Sequence, residues 1–393
     1  MKFGRVIFLA VAAFVATHSV AQQQGVSNDE ILLGTTTDLS GPVASYGKPY
    51  RSGMQLAIDE INQRGGIHGR KVRVIFEDSA YDPKKAALAA EKLVNQDKIF
   101  MMIGAMGTAH NIASWPIQFE KNVINFLPLA ASAPMYDPFH RLKYAVQSTY
   151  YDQLSRAVPQ MVKDKGSKKA CIIYQDDDMG SEIKAGGEAG LKSINMTFTE
   201  TTSFKRGATD FSTQVAKMKA AGCDLVIMGT IIRETIATIN ESRKLGFNPV
   251  FLGTVAAYSD QVHTLGGKSM DGLYATMTIQ HPYTDEQSEP IRVWANKYKA
   301  QFNADPTAYS VYGYVAMNIF ANAAQKVGRN LTTDTFISVM DTFSMPTDIF
   351  GHPPVTFSPT KRLGAEASRL SQIQDGKWRV VGPYISAESA TKK

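Results

Sequence analysis

Ile31 to Arg70 reads ILLGTTTDLSGPVASYGKPYRSGMQLAIDEINQRGGIHGR, and no other stretch limits the fold of this chain as strongly. The apolar, threonine-rich run Ile31–Thr37 is short enough for a buried strand. Ser40-Gly41-Pro42 and then Tyr46-Gly47 break the pattern as a turn cluster does. From Tyr50 to Asn62 the apolar residues Met54, Ala57, Ile58 and Ile61 recur at helical spacing. The helix stops at Arg64-Gly65-Gly66, where glycine takes the left-handed cap geometry without steric cost. A strand, a polar loop and a helix form the repeating unit of an open parallel sheet. Ligands bind such sheets at the carboxyl ends of the strands, which puts Tyr46 at the rim of a cleft.

The alternation continues. Lys71–Glu77 is a strand, Asp78–Pro83 a turn, Lys84–Asn95 a helix and Ile99–Ile103 a strand. The glycine-rich loop Gly104–Thr108 opens into a helix from Asn111 to Lys121, and strand Val123–Phe126 leads to Pro128–Pro134. A second, similar series starts near Tyr150 and carries strands Ala170–Tyr174, Met196–Thr201, Leu225–Gly229, Val250–Leu252 and Leu273–Thr278 between helices. Gln280–Asp285 reads as a connector into three helical stretches, and from Asp348 the tail has proline-rich turns and short strands. Strands alternating with helices predict an α/β fold with parallel-sheet cores. A chain of 393 residues is too long for one core, so two domains are expected.

Lys2 and Arg5 precede the apolar run Val6–Val15, and Ser19-Val20-Ala21 has the small-x-small pattern of a cleavage site. Residues 1–21 therefore read as a secretory signal cleaved near Ala21, which directs the mature chain to export. Removing Lys2 and Arg5 takes the formal charge from +6 to +4, and the excess is scattered, so no nucleic-acid partner is expected. In an oxidising compartment Cys171 and Cys223 either pair or remain two buried thiols; the sequence fits both. No HExxH, GxSxG or P-loop pattern is present, which argues against an enzyme. Asp176-Asp177-Asp178 reads as a solvated turn rather than a cation site, and no metal or cofactor is expected.

Several segments together resemble the leucine/isoleucine/valine-type periplasmic solute-binding proteins of ABC transporters, from the N-terminus almost to the C-terminus. They are LSGPVASYG (39–47), AIDEINQRGGIHGRKV (57–72), the turn from Asp78 to Asp82-Pro83, IGAMGTA (103–109), LPLAASAP (127–134), FSTQVAKMKAAGCDLVIMG (211–229) and DPTAYSVYGYVAMNIF (305–320). The resemblance implies two Rossmann-like lobes joined by a three-segment hinge that closes over a ligand. On this reading residues 28–148 with 282–350 form the N-terminal lobe, and 149–281 with 351–393 form the C-terminal lobe. It also implies a monomer that delivers its cargo to an ABC permease in the inner membrane.

In relatives that bind amino acids, two loops of the first lobe hold the ligand carboxylate. Carried over by motif, these positions are Met106 and Thr108 in IGAMGTA and Ala130 and Ser132 in LPLAASAP. The physics points the same way, because a glycine-rich loop opening a helix presents free N–H groups and a dipole to an anion. Tyr46 and Tyr309 match aromatic positions that wall the cleft. The second lobe departs from the pattern. Where amino-acid binders carry an acid that meets the ligand ammonium, this chain has Val255 in Thr254-Val255-Ala256-Ala257, and Met179 replaces a tyrosine. Ile231 follows the strand ending in LVIMG, with Arg233 nearby, a candidate for a second ligand carboxylate. His110, beside the anion loop, is a further candidate. The expected ligand is a carboxylate without an α-ammonium: an aromatic, aliphatic or keto acid. The alternatives are a branched-chain or other amino acid, or an amide or urea on the same fold.

Overall fold

A computed structural model describes residues 23–386. The signal sequence expected at residues 1–21 lies outside the described residues. The first sheet has five strands, β1 (Glu30–Thr37), β2 (Lys71–Asp78), β3 (Met101–Ile103), β4 (Ile124–Phe126) and β5 (Lys143–Tyr144), in the order β2-β1-β3-β4-β5. Every pairing is parallel. Helices α1 (Ala44–Gln63), α2 (Pro83–Glu91) and α3 (Thr108–Glu120) make the crossovers between β1 and β4.

The chain then enters the second lobe with α4 (Tyr150–Lys165), β6 (Ala170–Gln175), α5 (Asp178–Lys192), β7 (Phe198–Phe204), α6 (Ser212–Ala220), β8 (Leu225–Gly229), α7 (Arg233–Lys244), β9 (Val250–Gly253), α8 (Asp260–Gly266) and β10 (Tyr274–Met277). It returns for α9 (Glu289–Phe302), α10 (Ala308–Val327) and α11 (Thr333–Met340), then forms a small ribbon of β11 (Ser344–Met345) and β12 (Val355–Thr356). Finally β13 (Arg369–Gln374) and β14 (Lys377–Val380) join the second sheet, whose order is β14-β13-β10-β9-β8-β6-β7. Strands β6 to β10 are parallel and repeat the strand order of the first sheet, while β13 and β14 extend the edge antiparallel.

In such an order the switch point lies between the first and third strands of the series, here β1/β3 and β6/β8. Loops leaving these strands on either side of the switch form a crevice, so each lobe brings one crevice to the other.

Residues 145–149, 278–283 and 346–368 carry the chain between the lobes, and they bond to one another. Ala145 N–H donates to Arg362 C=O at 2.9 Å, and Gln280 N–H donates to Phe350 C=O at 2.8 Å.

Helix α10 packs along α1, and the fit depends on glycine. A Cβ at Gly53 would stand 1.8 Å from the Ser310 carbonyl oxygen, and one at Gly313 would stand 2.2 Å from that of Tyr50. The close approach sets the N-terminal ends of both helices side by side at the crevice. Thr307 caps α10 through a box with Ser310. In the second lobe Cys171 of β6 and Cys223 before β8 are bonded, with Cα atoms 5.9 Å apart, within ordinary disulfide range.

Candidate functional site

The two crevices close on one cavity, with about 50 Å³ open to the centres of water-sized molecules. One water needs roughly 10–15 Å³ of such volume, so the space suits a small organic molecule and not a peptide. From the first lobe it is lined by residues after β1, after β3 and after β4; from the second, by Met179 after β6, Ile231 after β8, and Val255 and Ala256 after β9. The strand ends that the topology marks as binding edges are the ones that meet.

The polar end is built by the loop between β3 and α3. Met106 N–H donates to Thr36 C=O at 2.8 Å, and Gly107 N–H donates to Leu129 C=O at 3.1 Å. The Asn111 side-chain amide donates to the carbonyls of Ala105 and Gly107 at 2.8 and 2.7 Å. These bonds fix the backbone at Gly107, whose φ of 92° suits glycine. The first helical bond of α3 runs from Asn111 N–H to Gly107 C=O, which leaves the N–H groups of Thr108, Ala109 and His110 without helical acceptors. Thr108 borders the cavity, is 5 % exposed, and its hydroxyl has no partner. A buried hydroxyl without a partner, together with a helix N-terminus, is a site built for an acceptor that bears negative charge.

The walls are aromatic. Tyr46 in the first turn of α1 and Tyr309 in the first turn of α10 stack with ring centroids 3.8 Å apart. The Tyr46 hydroxyl donates across the cleft to Ala256 C=O at 2.7 Å. Tyr81, Tyr150 and Tyr312 also line the cavity. Burial raises the pKa of all five phenols well above the usual value, so each stays neutral and keeps its proton as a donor. On the second-lobe side, the Gln153 side-chain oxygen accepts from Val255 N–H at 3.0 Å and from the Thr276 hydroxyl at 2.5 Å.

Of the residues expected from sequence, Tyr46, Met106, Thr108, Ala130, Met179, Ile231, Val255 and Tyr309 share this one cavity. Three do not border it. Ser132 sits one residue beyond the lining and hydrogen-bonds Glu182 of the second lobe. His110 is buried against Tyr81, ring centroids 4.7 Å apart, and burial holds its pKa down to about 4, so the ring is neutral. Arg233 begins α7 with an exposed side chain and lines not this cavity but a smaller adjoining pocket, with Tyr81, Arg206 and Ile231.

Sequence reasoning missed Tyr81, Gln147, Tyr150 and Tyr312. Tyr312 was within reach, three residues after Tyr309 on the same helix face. Asp176 and Asp177 are engaged by Lys205 and Arg206, and Asp177 also caps α5 through Gly180 N–H at 3.1 Å. No cluster of metal-ligating side chains exists among the described residues.

The lining also lacks, among the described residues, any aspartate, glutamate, lysine or arginine. The site is a hydroxyl and helix N-terminus corner in an aromatic and aliphatic pocket.

Two lobes with switch-point edges closing on such a pocket define a ligand-capturing hinge protein. The model of the periplasmic binding protein family matches residues 30–377. The chain is 24 % identical over 324 residues to the leucine-, isoleucine-, valine-, threonine- and alanine-binding protein of Pseudomonas aeruginosa, covering 81 % of this chain and 83 % of that one. Among solved structures, a fatty acid ABC transporter substrate-binding protein from Thermomonospora curvata superposes with a TM-score of 0.85 at 21 % identity, over 95 % of this chain and 96 % of that one. A solute-binding protein of an ABC transporter from R. palustris, in complex with benzoate, gives 0.79 at 18 %, over 92 % and 98 %. The chain belongs to the periplasmic binding protein family, the solute-binding proteins of ABC transporters. Among the described residues, no helix is long and apolar enough to cross a membrane.

Proposed function

We propose that this chain is the periplasmic receptor of an ABC importer for a small monocarboxylate that lacks an α-ammonium group, an aromatic, aliphatic or keto acid. One observation carries the reading: Thr108 and the start of α3 form an acceptor-seeking corner, while no acidic residue borders the cavity. Burying an ammonium without a carboxylate partner costs several kcal/mol, and neutral tyrosine and glutamine oxygens compensate only in part. The acid enters the open cleft, its carboxylate settles at Thr108 and the N–H groups of α3, and its apolar body lies against Tyr81 and the stacked Tyr46–Tyr309 pair. Closure covers it with Met179, Ile231 and Val255. Ser132 supports this corner from behind its lining. Delivery then runs through an ABC permease docking on the closed monomer. The benzoate carried by one structural relative and the fatty acids named for another fit the same pocket chemistry. A branched-chain amino acid is the second reading, favoured by the ligands named for the Pseudomonas relative.

A thermal-shift screen separates them. Benzoate, phenylacetate, 4-methylpentanoate and 2-oxo acids form one panel, with leucine, valine and phenylalanine as the other. A ligand at a hundred times its dissociation constant adds about 2.7 kcal/mol of stability. Shifts confined to the amine-free panel support the proposal; shifts confined to the amino acids overturn it.

A further inference from the structure

Glu182 lies one turn into α5 of the second lobe and, besides the Tyr151 N–H of α4 in its own lobe, meets two donors of the first lobe. Its Oε1 accepts from the Ala133 N–H at 2.9 Å, and its Oε2 accepts from the Ser132 hydroxyl. Ser132 is 2 % exposed and falls outside the cavity lining, so these donors point at the protein's own carboxylate and not into the ligand space. They belong to the loop after β4, the second of the two loops that the family resemblance assigns to a ligand carboxylate. In the closed molecule Glu182 has taken that place.

We propose that Glu182 is a closure-positioning residue. By docking on the Ser132–Ala133 corner it draws the lobes together and leaves an incoming carboxylate only the α3 end of the cavity. The two charge-assisted hydrogen bonds to Ser132 and Ala133 form only when the lobes meet; in the open molecule the carboxylate keeps the Tyr151 N–H and takes up water, and the first-lobe donors are free. A contact made in one conformer and not in the other biases the equilibrium between them, with or without ligand. A second cross-lobe contact lies nearby. Arg206, held by Asp177 at 2.7 Å, donates to Tyr81 C=O at 3.1 Å and covers the Tyr81 ring at 4.7 Å. The confinement of the ligand rests on the reading of Proposed function; the docking of Glu182 does not.

Single-molecule energy transfer between one dye on the surface of each lobe tests this in the full mature chain. Without ligand, the closed fraction falls at least fivefold from wild type to Glu182→Ala. Glu182→Gln restores part of it, because the amide still accepts from Ala133 N–H and can donate to Ser132 Oγ. Ser132→Ala lowers the closed fraction alone but adds nothing in the Glu182→Ala background. An isosteric Glu182→Gln chain that melts like wild type separates loss of closure from loss of fold. The inference is overturned if Glu182→Ala closes as often as wild type, if wild type never closes without ligand, or if Ser132→Ala has its full effect in both backgrounds. Repeating the series with benzoate keeps the two ideas apart. If benzoate fails to close even the wild-type chain, that counts against the amine-free acid, while the ligand-free series still decides the role of Glu182.

Discussion

In the proposed function, Thr108 is the residue on which capture turns. Its hydroxyl is buried and without a partner, so the closed cavity without a guest carries an unfavourable polar group that an acceptor relieves. Thr108→Val keeps the shape and removes the donor. Titration calorimetry with the best carboxylate from the screen should show binding weakened by about 1–3 kcal/mol, with Thr108→Ser near wild type. Equal affinity in Thr108→Val would remove Thr108 from the site. That Thr108 borders a cleft was legible in IGAMGTA only with the family resemblance beside it, because a threonine at a helix start by itself reads first as a cap. The partner of Ser132 was not legible. Glu182 is 50 residues away in sequence and meets it only through the closed arrangement of two lobes.

At the scale of elements, the alternation of apolar runs and amphipathic stretches located nearly every strand and helix, but helix starts were read late. Helix α1 begins at Ala44 rather than Tyr50, and α3 at Thr108 rather than Asn111. Turn-forming residues are tolerated in a first turn, so Tyr46-Gly47 and Thr108 looked like loop when they are helix. The difference matters, because it places Tyr46 and Thr108 on rigid elements. The short α8 was not read at all, having too few apolar residues to show a period. Whether the two cysteines bond depended on strand order, and β6 lying beside β8 brings them into reach. The bridge closes a loop across a sequence separation of 52, so removing it in a Cys171→Ser, Cys223→Ser chain should lower stability by about 2–4 kcal/mol in urea denaturation. An unchanged midpoint would mean the bridge does not form in the folded protein.

For the whole molecule, burial of histidine sets the response to acid. His110 and His263 are held down to about 4 and His281 to about 3, each chiefly by burial, against an ordinary value of 6.5. The folded chain binds these protons later than the unfolded chain does. Stability is therefore complete above about 6.5 and is lost as pH falls towards 4. Asp260, pushed up to about 6 by burial, acts oppositely between its ordinary 3.8 and 6, and burial raises Glu182 and Glu234 as well. Among the described residues, five imidazoles held down by burial, His140 and His352 included, outnumber these three carboxyls. The melting temperature should fall steadily between pH 7 and 4; a flat profile would contradict the buried, neutral state of these rings. The central claim concerns the ligand, and its most direct test compares two molecules that differ by one amine. The mature chain, stripped of bound ligand by unfolding and refolding, would be titrated in a calorimeter with 4-methylpentanoate and with leucine. A cavity with an anion corner and no acid predicts that the amine-free acid binds more tightly by at least tenfold. Tighter binding of leucine would show that tyrosine hydroxyls, Gln147 or backbone carbonyls receive the ammonium, and that the missing carboxylate does not set specificity.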